Sequence, residues 1–311
     1  MTQIMYVLFY LVCSLVFAAP NPKAATPVVA NGESLAESMD ASSVGTVDAS
    51  PIFDIPMTYN HRVQFWIRHF QTSGRKDFQK WLARSTRYSP FILKELERSG
   101  MPKDIIYTAM VESGFAPAVQ SPAAAVGIWQ FIKPTAERYG LKVNWWLDER
   151  RNYVKSTAAA IKYKKNLYEM FGSWYLVSAS YNCGENKVNG LIKKYGTNNF
   201  WELVQLQVLP KETADYVPKI LAATMIAKAP GLYGFRDIEY LVPFEFDMAS
   251  VPGGTDLYNL AQYLGVNANY LKELNPDLVH GFIPPTVASH TIKVPKGSSK
   301  LVAQFGERIT R

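Results

Sequence analysis

One glutamate stands out because of the helix face on which it lies. Glu112 belongs to a helix predicted to end near Gly114. Three residues at helical spacing share its face, namely Ile105, Thr108 and Ala109. A carboxyl group on such an apolar face loses water, which raises its pKa. A carboxyl group that still holds a proton near neutral pH could serve as the general acid in glycosidic cleavage, although the position alone also fits a partly exposed helix end.

Three further short motifs follow this glutamate, with Ser121 before the first of them. In chain order the four motifs are Glu112-Ser113-Gly114-Phe115, Val126-Gly127-Ile128-Trp129-Gln130-Phe131, Ser180-Tyr181-Asn182-Cys183-Gly184 and Glu212-Thr213-Ala214-Asp215-Tyr216-Val217-Pro218. Each motif alone is a weak signal. The ordered set resembles the soluble-type lytic transglycosylase domain, which has a goose-lysozyme-like fold. The resemblance is nearest to the membrane-bound D type of murein transglycosylase and covers roughly residues 60–230.

The resemblance implies a role for each residue beside the glutamate. Glu112 matches the single catalytic glutamate of that family, which protonates the glycosidic oxygen and then acts as a base. Ser113 would help to orient its carboxyl group. Tyr216 matches a tyrosine that lies close to the catalytic glutamate.

The same resemblance implies a set of substrate-binding residues. Ser121 matches a serine that contacts the N-acetyl group of the sugar, and Gln130 would hydrogen-bond the glycan. Trp129 would line the cleft, with Phe131 next to it. Tyr181 and Asn182 match residues of the groove wall.

A single carboxyl group suffices if the substrate supplies the second catalytic group. The resemblance implies that the N-acetyl carbonyl of N-acetylmuramic acid stabilises the oxocarbenium charge. The C6 hydroxyl of the sugar then attacks, leaving a 1,6-anhydro end. A hydrolytic muramidase on the same fold would need a second carboxylate, for which Asp148 and Glu212 are the candidates. A non-catalytic peptidoglycan-binding protein is the third interpretation.

The charge distribution suits an acidic polymer. The chain carries a formal charge of +7, and residues 57–100 and 101–235 each contribute net +6. An anionic cell wall fits this field, whereas no Arg-rich tract or RNP-like motif supports nucleic acid. The four histidines lack metal-ligand spacing, and no glycine loop could cradle a phosphate. We therefore expect peptidoglycan strands as the partner, no nucleic acid, no metal, no cofactor and a monomeric protein.

Helical periodicity dominates the middle of the chain. Val63, Ile67 and Phe70 recur at helical spacing, and similar patterns continue to residue 235 with almost no strand signal. Thr213 is predicted to cap the last of these helices. The expected fold class is mainly α, with a lysozyme-like catalytic domain at residues 57–236.

The composition changes after Gly234. Alternation at residues 244–246 and 291–294 predicts two strands, with two short helices between them. This βααβ order resembles a LysM glycan-binding module, and Leu274-Asn275-Pro276 and Val294-Pro295 are its most specific parts. We expect a small α+β module at residues 237–298 that binds glycan or caps the helical domain, followed by a tail at 299–311.

The N-terminal segment predicts export. Residues 4–19 are apolar and end in small residues, as in a signal peptide cleaved after Ala18. Residues 19–56 are rich in Pro, Ala and Ser without periodicity, which indicates a disordered linker. The expected location is the periplasm or the medium, with attachment to the cell wall or the outer membrane left open.

Overall fold

The computed structural model of the chain describes residues 52–309. The predicted signal peptide, residues 1–18, and the predicted linker up to residue 51 lie outside the described residues. In the last part of that linker, residues 52–56, Phe53 and Ile55 pack against the core of the helical part. The backbone N–H of Asp54 donates to the Asp104 carboxylate at 2.7 Å, and the Asp54 carboxylate accepts from the backbone N–H of Lys103 at 2.8 Å.

Nine α-helices precede the sheet within residues 52–309. They are α1 (His61–Gln71), α2 (Arg75–Arg98), α3 (Ile106–Ser113), α4 (Lys133–Arg138), α5 (Tyr153–Phe171), α6 (Trp174–Cys183), α7 (Glu185–Tyr195), α8 (Phe200–Gln205) and α9 (Lys211–Lys228). Most of α9 is buried, and it packs against α1, α3 and α6. The apolar faces predicted from helical spacing thus meet around one central helix.

Side-chain caps and glycines set the helix ends. Asn60 and Asn152 cap α1 and α5, because their side-chain oxygens accept from backbone N–H groups of the first turn. Gly114 ends α3 in the left-handed conformation, with φ at 54°. A Cβ there would lie 2.0 Å from the Trp81 ring, so only glycine fits this position.

The start of α9 and the strand at residue 244 differ from the predictions. Helix α9 begins at Lys211, so Thr213 lies inside its first turn and does not cap it. The hydroxyl of Thr213 donates instead to Asn182 Oδ1 at 2.7 Å. Phe244 precedes the first strand because its ring packs against the helical part, edge-on to Tyr88 and under the Arg87 guanidinium. Helix α8 was not predicted.

The C-terminal unit has the predicted strand–helix–helix–strand order. Strand β1 (Phe246–Pro252) pairs antiparallel with β2 (Ser289–Pro295), and α10 (Leu257–Leu264) and α11 (Ala268–Leu274) lie between them in sequence. Residues 299–309, assigned to a tail by the sequence, form α12 (Ser299–Ile309). Val302 and Phe305 of α12 are buried in the core of this unit. The predicted class, mainly α with a small α+β unit, is confirmed.

Backbone hydrogen bonds join the C-terminal unit to the helical part. The N–H of Asp148 donates to the Asp277 carbonyl at 2.8 Å, and the N–H of Val279 donates to the Trp146 carbonyl at 2.9 Å. Asn152 adds a side-chain bond to the Asp277 carboxylate at 2.9 Å. Such bonds fix the orientation of the two parts. Among the helices of residues 52–309, none combines the length and the apolar character that crossing a bilayer demands.

Candidate active site

A groove of about 600 Å³ opens where α3 ends. Its lining comes from the end of α3, the loop before α4, α4 itself, the middle of α5, the end of α6, the start of α7 and the first half of α9. The lining residues are Val111, Glu112, Ser121, Ala123, Ala125, Gln130, Phe131, Ile132, Thr135, Tyr163, Tyr181, Asn182, Cys183, Gly184, Glu185, Glu212, Tyr216 and Lys219. A groove of this volume can hold several sugar rings or a ligand of similar size.

The carboxyl group of Glu112 has a raised pKa. Desolvation raises its pKa to about 7, against smaller lowering contributions from a hydrogen bond with Tyr216 and from Lys164 and Lys219. The Tyr216 hydroxyl donates to Glu112 Oε1 at 2.5 Å. This bond holds the carboxyl group in one orientation, and the group can both give and accept a proton near neutral pH.

Two lysines near Glu112 were missed in the sequence. Lys164 of α5 is buried, and its Nζ lies 3.9 Å from the centroid of the Tyr181 ring. Desolvation lowers the pKa of Lys164 to about 7, although the charge of Glu112 opposes this shift. Lys219 lines the groove, and burial lowers its pKa as well. A helical-wheel reading would have found Lys164, since Ala160 and Leu167 share its buried face.

Tyr181 and Asn182, at the end of α6, line the groove. The Tyr181 hydroxyl donates to the Trp129 carbonyl at 2.7 Å, and its ring meets Phe131 edge-on. Asn182 accepts from the Thr213 hydroxyl, and its Nδ2 donates to Glu212 at 3.5 Å. These bonds tie the end of α6 to the start of α9, so the wall is built before any ligand arrives.

The loop before α4 supplies the opposite side. Gln130 has a φ of 49°, and its Nε2 donates to the carbonyls of Gly127 at 2.8 Å and Val119 at 3.3 Å. The loop requires glycine at 127, because a Cβ there would lie 2.0 Å from the Arg150 carbonyl oxygen. Ser121 lines the groove, and its Oγ accepts from the backbone N–H of Ala125.

Two predicted site residues lie outside the groove. The expectation that Trp129 lines the cleft is wrong, because its side chain is fully buried and its Nε1 donates to Thr157 at 3.0 Å. Ser113 does not orient the Glu112 carboxyl group, since its hydroxyl is within hydrogen-bonding distance of the carbonyls of Ala109 and Ile128. Both side chains instead anchor the loop that carries Gln130.

The two candidates for a second carboxylate, Asp148 and Glu212, differ in whether they lie at the groove. Asp148 is buried away from the groove, where both of its oxygens accept from Arg150 at 2.8 Å. Glu212 is exposed and lines the groove. Glu185 also lines it but accepts from Tyr163 and Arg138 at 2.8 Å. Within residues 52–309, no cluster of His, Cys, Asp and Glu could hold a metal ion.

The helical fold and a desolvated glutamate in a groove agree with comparisons to known families. Residues 89–204 match the transglycosylase SLT domain, and residues 245–310 match the LysM-like domain of lytic transglycosylase MltD. The chain thus contains a transglycosylase SLT domain and an MltD-type LysM-like domain. Glu112, Gln130, Tyr181 and Asn182 fall inside the first match, whereas Tyr216 lies beyond its end.

The chain is similar to a membrane-bound lytic murein transglycosylase D of Escherichia coli (strain K12), with 34% identity over 197 residues. The match covers 62% of this chain and 43% of that protein, so the chain spans less than half of the relative's length. A second relative, named "Putative tributyltin chloride resistance protein" in Alteromonas sp. (strain M-1), is 31% identical over 165 residues, covering 48% of this chain and 80% of that protein.

Among solved structures, the 70 kDa soluble lytic transglycosylase of Escherichia coli is 18% identical, with a TM-score of 0.43. That match covers 58% of this chain and 31% of the solved one.

Proposed function

We propose that this chain is a peptidoglycan lytic transglycosylase that cleaves the β-1,4 bond between N-acetylmuramic acid and N-acetylglucosamine. The observation that carries the proposal is the Glu112 carboxyl group, which lies in a groove with a pKa of about 7. The match of residues 89–204 to the transglycosylase SLT domain supports the same reaction. Cleavage leaves 1,6-anhydro-N-acetylmuramic acid ends.

Glu112 acts first as an acid and then as a base. Its proton passes to the glycosidic oxygen as the bond to C1 of the muramic acid breaks, and the N-acetyl carbonyl of that sugar stabilises the positive charge at C1. The Glu112 carboxylate then takes the proton of the C6 hydroxyl, whose oxygen bonds to C1. The enzyme regains its proton, no water is consumed, and the intramolecular attack benefits from a high effective concentration.

The groove residues divide into contacts and supports. Ser121, Gln130 and Phe131 on one side, with Tyr181 and Asn182 on the other, are the proposed contacts with the glycan. Tyr216 positions the acid through its hydrogen bond. Ser113 and Trp129 are supports that hold the Gln130 loop through buried hydrogen bonds.

A muramidase is the second candidate, because Glu212 lines the same groove. A hydrolase would use such a carboxylate to activate water. The Glu212 carboxylate accepts from Asn182 Nδ2 at 3.5 Å, which holds it at the groove wall. The product distinguishes the two reactions.

We further propose the remaining organisation from the sequence. A catalytic domain spans residues 57–236, and a LysM-like glycan-binding or structural module spans residues 237–298, with α12 completing its core. The protein is exported and monomeric, and peptidoglycan strands in the periplasm or outside the cell are its partner. The LysM-like match at residues 245–310 supports wall binding.

Product analysis of digested sacculi tests the proposal. Purified peptidoglycan is incubated with the chain or with Glu112→Gln, and the soluble products are analysed by mass spectrometry. Anhydromuramic ends with the unaltered chain, and none with Glu112→Gln, support a transglycosylase. Reducing ends support the muramidase instead. Unchanged wall lysis by Glu112→Gln overturns both.

A further inference from the structure

Helix α9 brings a lysine to the groove, one turn beyond Tyr216. Lys219 and Tyr216 are three residues apart on this helix, so their side chains lie on the same face. Both residues line the groove together with Glu112, and the Tyr216 hydroxyl donates to the Glu112 carboxyl group. The half-buried side chain of Lys219 therefore belongs to the same wall of the groove as the donor that holds the acid.

Two indole rings hold the ammonium group of Lys219. Its Nζ lies 5.3 Å from the centroid of the Trp66 ring and 5.9 Å from the centroid of the Trp81 ring. Both distances are within the range of cation–π attraction, which is strongest with tryptophan. Trp81 also packs against the end of α3, since a Cβ at Gly114 would lie only 2.0 Å from its ring. The indoles thus place this cation beside the segment that carries Glu112.

The charge of Lys219 is not neutralised by a carboxylate in contact with it. Asp215, one turn earlier in α9, pairs with Arg62 at 3.0 Å. Lys228, later in the same helix, pairs with Asp104. Lys219 forms no such ion pair among residues 52–309. An ammonium group held by aromatic rings keeps its charge, so its field acts on ionisable groups further away, and a desolvated carboxyl group feels this field with little screening.

Charged and titratable groups face Lys219 and Glu112 from five helices. His69 of α1 has a pKa lowered by burial and by the charge of Lys219, so it is uncharged near neutral pH. Glu112 of α3 and Glu212 of α9 favour the cationic form of Lys219, against the burial that lowers its pKa. The remaining groups that interact with Glu112 are Lys164 of α5, Tyr181 of α6 and Tyr216 of α9. Of the two lysines, Lys219 is the one that lines the groove.

We propose that Lys219 is a positioning residue of the reaction, whose ammonium group stabilises the carboxylate that Glu112 becomes after it protonates the glycosidic oxygen. The catalytic part of this inference rests on the proposed function. A nearby opposite charge favours the ionised carboxyl group, so the cation lowers the free energy of the state that follows proton transfer. Because Tyr216 donates to the same carboxyl group, α9 supplies both a hydrogen bond and a charge to the acid.

Carbon-13 NMR of the full chain tests the electrostatic link without any substrate. The glutamate carboxyl carbons are labelled, and the resonance that disappears in Glu112→Gln identifies Glu112. Lys219→Met keeps the aliphatic part of the side chain and removes its charge, so the pKa of Glu112, about 7 in the unaltered chain, should rise by about 0.5 to 1. Lys219→Arg keeps a cation that also stacks on indole and should leave this pKa nearly unchanged. Lys211→Met, at the exposed start of α9, is the matched control and should have no effect.

Rates of peptidoglycan solubilisation measure the consequence for the reaction. In Lys219→Met, kcat should fall about threefold to tenfold while KM stays nearly unchanged, because the charge acts on the acid. The basic limb of the kcat/KM profile should move to higher pH together with the pKa of Glu112. Lys219→Arg should restore both kcat and the position of the limb.

The contrary outcomes are distinct from a failure of the proposed function. An unchanged pKa of Glu112 in Lys219→Met overturns the electrostatic link, as does an equal rise in Lys219→Arg, which would indicate lost packing rather than lost charge. A loss confined to KM would make Lys219 a substrate-binding residue and overturn its positioning role. Anhydromuramic products from the unaltered chain with an unchanged pKa in Lys219→Met refute Lys219 alone. A raised pKa with no lysis by the unaltered chain refutes the reaction, and with it the catalytic role, although the electrostatic link holds.

Discussion

Replacing Tyr216 by phenylalanine should raise the pKa of Glu112. The hydroxyl of Tyr216 donates to Glu112 Oε1 at 2.5 Å, and this bond favours the charged carboxylate. Phenylalanine removes the donor and leaves the ring in place. It also brings no new water, so the desolvation that already raises the pKa persists.

The size of the effect follows from the hydrogen bond. A bond to a charged group contributes about 1.5 to 3 kcal/mol, and about 1.4 kcal/mol corresponds to a change of one in pKa. The pKa of Glu112, about 7 in the unaltered chain, should therefore rise by about 1 to 2 in Tyr216→Phe. The protonated acid would then persist to higher pH.

The pH dependence of kcat/KM measures this change. Rates of peptidoglycan solubilisation at low substrate concentration report the ionisations of the free enzyme. Because the proposed reaction begins with protonated Glu112, the ionisation of Glu112 should set the basic limb of the profile, which should move to higher pH in the variant. The maximal rate should fall roughly tenfold, since the carboxylate formed during proton transfer loses its donor.

Tyr175→Phe is the matched control. The Tyr175 hydroxyl bonds Thr58 and the Pro56 carbonyl and does not line the groove. This variant should keep the basic limb of the unaltered chain. A Tyr216→Phe profile whose basic limb stays in place or moves to lower pH would refute the electrostatic role assigned to Tyr216.

Three further changes have defined outcomes. Gly114→Ala should cost about 3 kcal/mol or more in the free energy of unfolding, measured with denaturant, because the new Cβ meets the Trp81 ring at a positive φ; an unchanged midpoint would contradict the clash. Between about pH 4.5 and 7, folded Glu112 holds a proton that the unfolded chain has released, so the unaltered chain should lose about 3 kcal/mol of stability as the pH rises. Glu112→Gln should remove this pH dependence. Denaturant midpoints at several pH values would show the change, and an unchanged slope would refute it. Lys164→Met should remove the rise in stability between about pH 7 and 10.5, where only the unfolded lysine stays protonated; a retained rise would place that titration elsewhere.

Periodic patterns were sufficient to predict the helices and the apolar helix face on which Glu112 lies. Apolar residues at helical spacing, such as Val63, Ile67 and Phe70, are buried in α1 as predicted. The same spacing placed Glu112 beside Thr108 and Ala109, and desolvation does raise its pKa. These features are local, because helix geometry alone decides which side chains share a face.

The directions of side chains in the loops could not be predicted from a periodic pattern. Residues 121–132 have no period, so nothing in the sequence shows that Trp129 turns into the core while Gln130 turns to the groove. The positive φ of Gln130 and the glycine at 127 produce this reversal. A tertiary contact, the approach of the Arg150 carbonyl to Gly127, fixes it.

The burial of Lys293 could not be predicted from the sequence for a related reason. Lys293 alternates correctly with Ile292 and Val294, which predicts a solvent-facing lysine on a half-buried strand. Only 1% of Lys293 is exposed, and its Nζ lies 5.3 Å from the centroid of the Tyr153 ring, in a helix distant in sequence. Contacts between distant segments are outside the reach of a local pattern.

The electrostatics of the groove depend on Glu112 and Lys164 together. Desolvation disfavours the charged form of each, and each charge favours that of the other. Both groups therefore have pKa values of about 7, and their titrations are coupled. In the proposed reaction, the carboxylate that remains after Glu112 gives up its proton would be stabilised by the cationic form of Lys164. The lysine would thus reduce the cost of proton donation from a position behind the Tyr181 ring, 3.9 Å from its centroid.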